Sequence, residues 1–458
     1  MHYTRPELEF KPSKNGVVMR RKFLVFAAAV ALGLVVAPQN STAIQVPPPI
    51  KDCLTKKYGA SVASAIAKAK LLNTTQKKQM TACSSSSTPA GGSTTASPST
   101  SGLTTLSYGL LWSVGSNQAG LGNVSDPALV QLANGTLRMF FKNGNEPQIP
   151  LSGFDNKIHS YVSSDNGKTW TLESGVRIDV GSPVTVRSAE SGGYEAWGWT
   201  PGSGGVDNFT RFTSSTGMDF TKGSASAVPT SGCKNKDGAA AGFLGDAQVV
   251  KVAGGYLAFA HDIAAGKNPP FKRQACKLTS TDGNSWSIDA SGTFAFDYDI
   301  QNNPELFRNA SGQLELWFSA DRGMTKTSEI RTSTNDGASW SSATSLSWMA
   351  NDPDRLDLAN GDSLLAFGNF DQRKGGLLAV AKKISSTYKA SRDEKVDQVT
   401  WTVSGAKQAD ISVKNLCLGT DLTSRATFTT SGSNLTVSLK DSSVGCAYIL
   451  VGTAQAIS

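Results

Sequence analysis

The stretch Ser163-Ser164-Asp165-Asn166-Gly167-Lys168-Thr169-Trp170 decides the fold, because altered copies of it return at 213–220 (TSSTGMDF), 279–286 (TSTDGNSW) and 333–340 (STNDGASW). Each copy keeps a hydroxyl residue first and a glycine three places before the closing aromatic. Asp or Asn in such a turn folds its side chain onto nearby N–H groups, Gly supplies positive φ, and the aromatic packs the returning strand into a core. The closing aromatics are separated by 50, 66 and 54 residues, which predicts an array of sheets at the period of a propeller blade. In this frame Asn335 takes the place of Asp165 in the last copy, and Ser215 and Thr281 take it in the middle two.

A second repeat runs out of phase with the first. It consists of Asp126-Pro127-Ala128-Leu129-Val130, Ser182-Pro183-Val184-Thr185-Val186, Gly245-Asp246-Ala247-Gln248-Val249, Asn303-Pro304-Glu305-Leu306-Phe307 and Asp352-Pro353-Asp354-Arg355-Leu356. Four of the five are followed by a glycine turn and a further apolar run, at Asn134-Gly135, Gly254-Gly255, Ser311-Gly312 and Asn360-Gly361. Each unit therefore reads strand, turn, strand, longer loop, strand, tight turn, strand. The expected fold is an all-β propeller of four-stranded blades, with five clear units at about 126–175, 182–225, 245–290, 302–345 and 352–403. Residues 106–114 are available as the outer strand that closes the ring. The strands of 404–458 read as a sixth blade or as a small β appendage.

The flanking segments differ in kind. Arg20-Arg21-Lys22, the apolar run 23–36 and Ser41-Thr42-Ala43 read as a secretory signal peptide over 1–43, with Met19 as an alternative start. Its fourteen apolar residues fall short of the roughly 20 that a spanning helix needs, so no transmembrane anchor is expected after cleavage. Residues 44–83 read as a small helical module and 84–103 as a Ser/Thr/Pro/Gly-rich linker, followed by the propeller over 104–403. The six cysteines fall in pairs, Cys53 with Cys83, Cys233 with Cys276 and Cys417 with Cys446, and sequential pairing is the simplest of their connectivities in an exported chain. The expected location is secreted or extracellular, with association to the cell surface.

Charge is distributed unevenly. Of the net +8, the leader carries six Lys/Arg against two acids, and 44–83 carries seven Lys against one Asp, which leaves the remainder at −2. A nucleic-acid partner is therefore not expected for the large domain. The lysines of 51–83 suit an anionic cell-envelope polymer or a solvated spacer face. A monomer is expected.

Blade topology says where chemistry can sit. If the first strand of each blade starts at the ligand face, the tight turn after the third strand lies away from it, and Asp165 and its relatives are structural. First-strand starts then deliver Asp126, Asp246, Glu305 and Asp352 to the central channel. Second-strand ends deliver Lys142, Trp197 and Trp199, His261 and Asp262, Asp321 and Arg322, and Asp371 and Arg373, with Arg187 and Arg355 as further cations. Carboxylates converging on one axis are what glycoside hydrolysis uses: one protonates the leaving oxygen while another activates water or attacks, and neighbouring charges separate their pKa values. Aromatics at the rim suit sugar stacking.

The tight-turn repeat resembles the Asp-box (BNR) repeat of sialidase-like β-propellers, over about 200 residues. That resemblance implies a propeller acting on sialosides, with arginines gripping a carboxylate (Arg187, Arg322, Arg355 and Arg373) and Tyr298 as nucleophile. The chain is also similar to the five-bladed glycosidases of arabinose, xylose or fructose polymers, whose catalytic Asp, Asp and Glu come from first-strand starts. That similarity implies Asp126 as base, Asp246 as pKa modulator and Glu305 as acid; the blade topology offers Trp197, His261, Asp262, Arg322, Asp352, Arg355, Asp371 and Arg373 as substrate-binding residues. The rival from another class is a non-catalytic propeller that binds carbohydrate or protein. There is no Gly-x-Ser-x-Gly elbow, phosphate-binding loop or His-Glu-x-x-His motif, and neither cofactor nor metal is expected.

Overall fold

The computed structural model describes residues 54–68, 102–115, 121–144, 153–203, 207–228, 230–234, 238–241, 244–262, 274–294, 296, 299–300, 304–321, 326–371, 375–395, 397–441 and 444–458. The expected signal peptide, the expected pair of Cys53 with Cys83 and most of the expected linker lie outside the described residues. The chain divides into two units, 1–97 and 98–458. In the first, residues 54–58 are helical, Gly59 stands at φ +91°, and a helix follows over Ala60–Lys68 with Ala63 buried. Among the described residues no helix is long and apolar enough to cross a membrane.

The second unit is a β-propeller of five blades. The first blade is Asn123–Gln131, Leu137–Gly144, Lys157–Ser163 and Thr171–Leu172, paired in that order. The second is Val184–Ser188, Tyr194–Thr200, Asn208–Ser214 and Thr221–Ala227, and the third is Leu244–Val252, Gly255–Asp262, Ala275–Ser280 and Ser287–Ile288. In the fourth, Glu305–Arg308 and Asp299–Ile300 both pair with Leu314–Asp321, followed by Lys326–Ser333 and Thr344–Ser345. The fifth is Asn351–Asp357, Ser363–Asp371 and Gly375–Lys383, completed by Tyr108–Gly115 from the start of the unit. That strand closes the ring.

Alternating side chains make the closure possible. Each sheet buries both faces, one against the blade before it and one against the blade after. Phe140 and Ile158 pack with Ala196 and Phe212 between the first two blades, and Trp197, Trp199 and Phe209 pack with Ala258, Leu278 and Trp286 between the next two. Phe259 meets Leu316 and Phe318, Trp317 meets Leu365 and Phe367, and Leu364 and Val380 return to Leu129, Met139 and Trp170 of the first blade.

The strands Lys389–Lys395 and Gln398–Ser404, which the sequence reading placed in the fifth blade, pair elsewhere. With Thr104–Thr105, Asn434–Lys440 and Thr427–Ser431 they form one sheet of a β-sandwich. The facing strands Ile411–Asn415, Ala447–Val451 and Ala456–Ile457 continue from the fifth blade through a Gly109–Ala456 pair. Trp401, Val403, Val437, Leu439, Val413 and Ile449 fill the space between the two sheets. The tail is thus an appendage rather than a sixth blade. Among the described residues two disulfides are present, Cys233–Cys276 and Cys417–Cys446, each with Cα atoms 5.6 Å apart.

The repeated turn works as a hydrogen-bond knot. Ser163 Oγ accepts from Gly167 N at 3.0 Å, Asp165 Oδ1 accepts from Lys168 N and Thr169 N, and Trp170 Nε1 donates back to Gly167 O at 3.0 Å. The third copy repeats this one residue shorter: Ser280 Oγ accepts from Gly283 N, and Asp282 Oδ1 accepts from Asn284 N and Ser285 N. Asp282, not Thr281, therefore holds the acid position, because Asn166 (φ 58°) and Asp336 (φ 53°) of the first and fourth copies fill a left-handed step that this turn omits.

These bonds hold the carboxyls of Asp165 and Asp282 at about 2, below the usual Asp range, Asp165 chiefly through the Thr169 hydroxyl and Asp282 through the Ser285 N–H. A depressed folded pKa gives stability that is present above the unfolded value and lost as pH falls through the folded one. The Asp165→Asn variant should melt below the parent at pH 6, with the difference shrinking from about pH 4 and disappearing only as pH falls through about 2; calorimetry across that range checks it.

Candidate active site

Three of the five innermost strands begin with the same irregularity. Asp126, Asp246 and Asp352 have φ of 54°, 43° and 44°, the left-handed region that non-glycine residues avoid. Each sits in a bulge: the pairing jumps from Ser125–Lys142 to Ala128–Phe140, from Gly245–His261 to Ala247–Ala260, and from Asn351–Gly368 to Asp354–Ala366. One extra residue on the inner strand bends it and re-aims the side chain at the bulge. Pro127 and Pro353 suit the site because a bulge leaves an N–H out of the ladder. Left-handed backbone at a non-glycine residue costs about 1–3 kcal/mol, so three such sites in register need a common cause.

That cause is the channel. Glu305 starts the innermost strand of the fourth blade, opposite Trp317, and is 2% exposed. Burial raises its carboxyl well above the usual glutamate value, and the charges of Asp354, Asp352, Asp126 and Asp246, in falling order, push it further. Acids from the first, third and fifth blades therefore all act on the fourth blade's glutamate. Its Oε2 is buried and has no hydrogen-bond partner among the described residues. Before the innermost strand of the second blade a hydroxyl stands in place of the acid: Ser182 Oγ accepts from Trp199 N at 2.8 Å.

Asp354, two residues past Asp352, is the site residue that the sequence reading missed. It is buried, and burial carries its carboxyl up to about 7 against the pull of two backbone donors, Leu129 N at 2.5 Å and Arg355 N at 2.8 Å. The signal was available in the repeat itself, where Asp354 stands in register with Ala128 and Gln248.

His261 is brought to the site: it is buried, with Nδ1 3.5 Å from Asp246 Oδ2. Two other expected ligands are not. Trp197 is fully buried in the core between the second and third blades, where Nε1 donates to Gly283 O at 2.7 Å, because its side chain faces the next sheet rather than the axis. Arg355 turns outward to Glu315 Oε1 at 2.7 Å and Asp357 Oδ1 at 3.0 Å, with its guanidinium over Phe307. Arg187 is likewise spent on Glu195 and stacks on Trp197 and Tyr256. Asp262, Asp321 and Asp371 end their second strands, but their side chains, like all of Tyr298, Arg322 and Arg373, lie outside the described residues. Among the described residues no group of three or more His, Cys, Asp or Glu is arranged to hold a metal ion.

No protein-family model matches the chain, and no curated protein matches it. Solved structures with a similar fold include an endo-arabinase from Bacteroides thetaiotaomicron, 14% identical over 58% of this chain and 95% of that one, with a TM-score of 0.41. They also include an α-L-arabinofuranosidase from Clostridium thermocellum, 14% identical over 53% and 81%, TM-score 0.40. A protein of unknown function from Dyadobacter fermentans is 12% identical over 74% and 99%, TM-score 0.40.

A buried acid with a raised folded pKa binds a proton that the unfolded chain releases, so it costs stability as pH rises above about 4. The Glu305→Gln variant should accordingly melt higher than the parent at pH 8, with little difference at pH 4. Thermal melts at the two pH values check this, and a lower melting temperature at pH 8 would contradict it.

Proposed function

We propose that the protein is a secreted glycoside hydrolase whose chemistry is carried by Glu305, Asp126 and Asp246. The observation that supports this reading is the position of Glu305: it is buried, and that burial, with the charges of four other carboxylates, raises its carboxyl well above the usual glutamate value. A proton held there serves a general acid. Glu305 gives it to the glycosidic oxygen as the bond from that oxygen to the anomeric carbon breaks. Asp126, presented by its bulge, takes a proton from the attacking water or itself attacks the anomeric carbon. Asp246, paired with His261, holds the negative charge that keeps the Glu305 proton in place until the leaving oxygen draws it off.

The substrates proposed are glycans of the arabinose, xylose or fructose type. A sialidase mechanism has less support, because Arg187 and Arg355 are committed to Glu195, Glu315 and Asp357. Export is supported by the Cys233–Cys276 and Cys417–Cys446 bridges, since disulfides persist in oxidising compartments. We further propose that the Lys-rich segment 51–83 holds a monomeric enzyme on an anionic envelope polymer.

Turnover of aryl arabinofuranosides, xylosides, fructosides and sialosides by the purified mature chain tests the reading. Asp126→Asn and Asp246→Asn should lose roughly 10²–10⁴-fold in kcat. Glu305→Gln should lose as much on alkyl leaving groups and much less on nitrophenyl ones, which depart without a proton. Glycan binding with no turnover of any of these would instead favour a binding propeller.

A further inference from the structure

We propose that Asp354 is a positioning residue of the channel, one that pins the first innermost strand to the fifth across the joint where the ring closes and places its carboxylate beside Glu305. The inference rests on the reading of Glu305 as the acid.

The pin is direct. Asp354 Oδ2 accepts from Leu129 N at 2.5 Å, and Leu129 is three residues past the left-handed Asp126. The inner edge of an innermost strand has no ladder partner, so an N–H there must find a side chain, a water or a ligand. Here the side chain comes from the neighbouring blade. It fixes where the strand runs just after the bulge, and therefore where Asp126 points.

A pin alone does not call for a carboxylate, and the same molecule supplies the comparison. Val249 is three residues past the left-handed Asp246, just as Leu129 is past Asp126, and its N–H is also met from the preceding blade. There the acceptor is the Thr185 hydroxyl, at 3.5 Å. A neutral group thus suffices at the second-to-third joint. At the fifth-to-first joint the chain instead buries an acid, whose ionised form is disfavoured by that burial. The difference between the joints is what lies nearby: among the described residues Asp354 has the largest charge effect on Glu305. The extra charge is useful only where a proton is to be held.

The sign follows from the charge itself: the Asp354 carboxylate raises the Glu305 carboxyl, so loss of that charge lowers it. Removing that charge while keeping an acceptor oxygen, as Asp354→Asn does, should make Glu305 a stronger acid without freeing the Leu129 N–H. A purely structural cap would leave the Glu305 titration where it was.

The test is a carbon-13 NMR titration of the full chain labelled at glutamate side chains, with Glu305 assigned from its loss in Glu305→Gln. In Asp354→Asn the Glu305 midpoint should move down in pH, and exchange of the Leu129 amide should stay as slow as in the parent. An unmoved midpoint overturns the proposal. The parent alone gives a second reading, should the variant fail to fold: the Leu129 amide resonance must follow a titration with its midpoint near 7, and a flat response overturns the pin. Neither readout needs a substrate. Failure to hydrolyse any glycoside together with a lowered Glu305 midpoint would remove the hydrolase reading and leave the coupling standing. Where a substrate is found, the alkaline limb of kcat should fall to lower pH in Asp354→Asn with KM little changed.

Discussion

The structure depends on the closure of five sheets onto one another by strands far apart in sequence. Tyr108–Gly115 pairs along nearly the whole of Gly375–Lys383, and the fifth blade is complete only with that loan. Once the ring is closed, every sheet has an apolar neighbour on both faces, and no sheet needs to be stable by itself. Closure also turns the inner edges of five strands towards one axis. Those edges carry N–H and C=O groups that no ladder can satisfy, so polar side chains at the strand starts answer a structural need before they answer a chemical one.

Most of the ring was legible in the sequence because a propeller repeats its turn chemistry. Ser163, Asp165 and Gly167 have to be those types for their hydrogen bonds to form, and Trp170 must be aromatic to fill the gap beside the fifth blade. Asp126 and Asp352 stood out for a related reason: an Asp at the head of a β-run followed by Pro marks an irregular start. What the pattern does not carry is the side of the sheet on which a strand-end residue lies. Trp197 was expected at the rim from its position along the strand, yet alternation sends it into the interface between blades. Arg355 is the mirror case, one residue beyond an inward-facing Asp354 and therefore directed away from the axis to Glu315 and Asp357.

The sandwich was harder to read because its strands obey the same alternation as a blade strand. Gln398–Ser404 runs half-buried, buried, half-buried throughout, as an outer blade strand would. Only the partner, Asn434–Lys440, tells them apart, and pairing between distant strands leaves no local mark. The frame of the turn copies was misjudged on similar grounds. Lining up the aromatics concealed the missing left-handed step, and only the hydrogen bonds of Ser280 and Asp282 restore the register.

Residue type and backbone conformation together still do not fix what an acid does. Asp336 and Asp126 share an Asp side chain and nearly the same φ, 53° and 54°. Asp336 lies in a turn, where the Ala253 N–H and Arg308 keep its carboxyl below the usual range. Asp126 lies on the channel, where its charge helps to keep Glu305 protonated. The two sets of carboxyls pull stability in opposite directions as pH changes: the turn acids favour the fold once ionised, and Glu305 and Asp354 favour it while protonated. A chain selected for stability alone would keep the first set and replace the second with Gln, Thr or an apolar residue, as Thr185 and Ala128 show that the same inner strands allow. That the acids are concentrated on the axis, on strained backbone and against their own electrostatic cost, is the physical reason to regard the channel as the part of the molecule that acts.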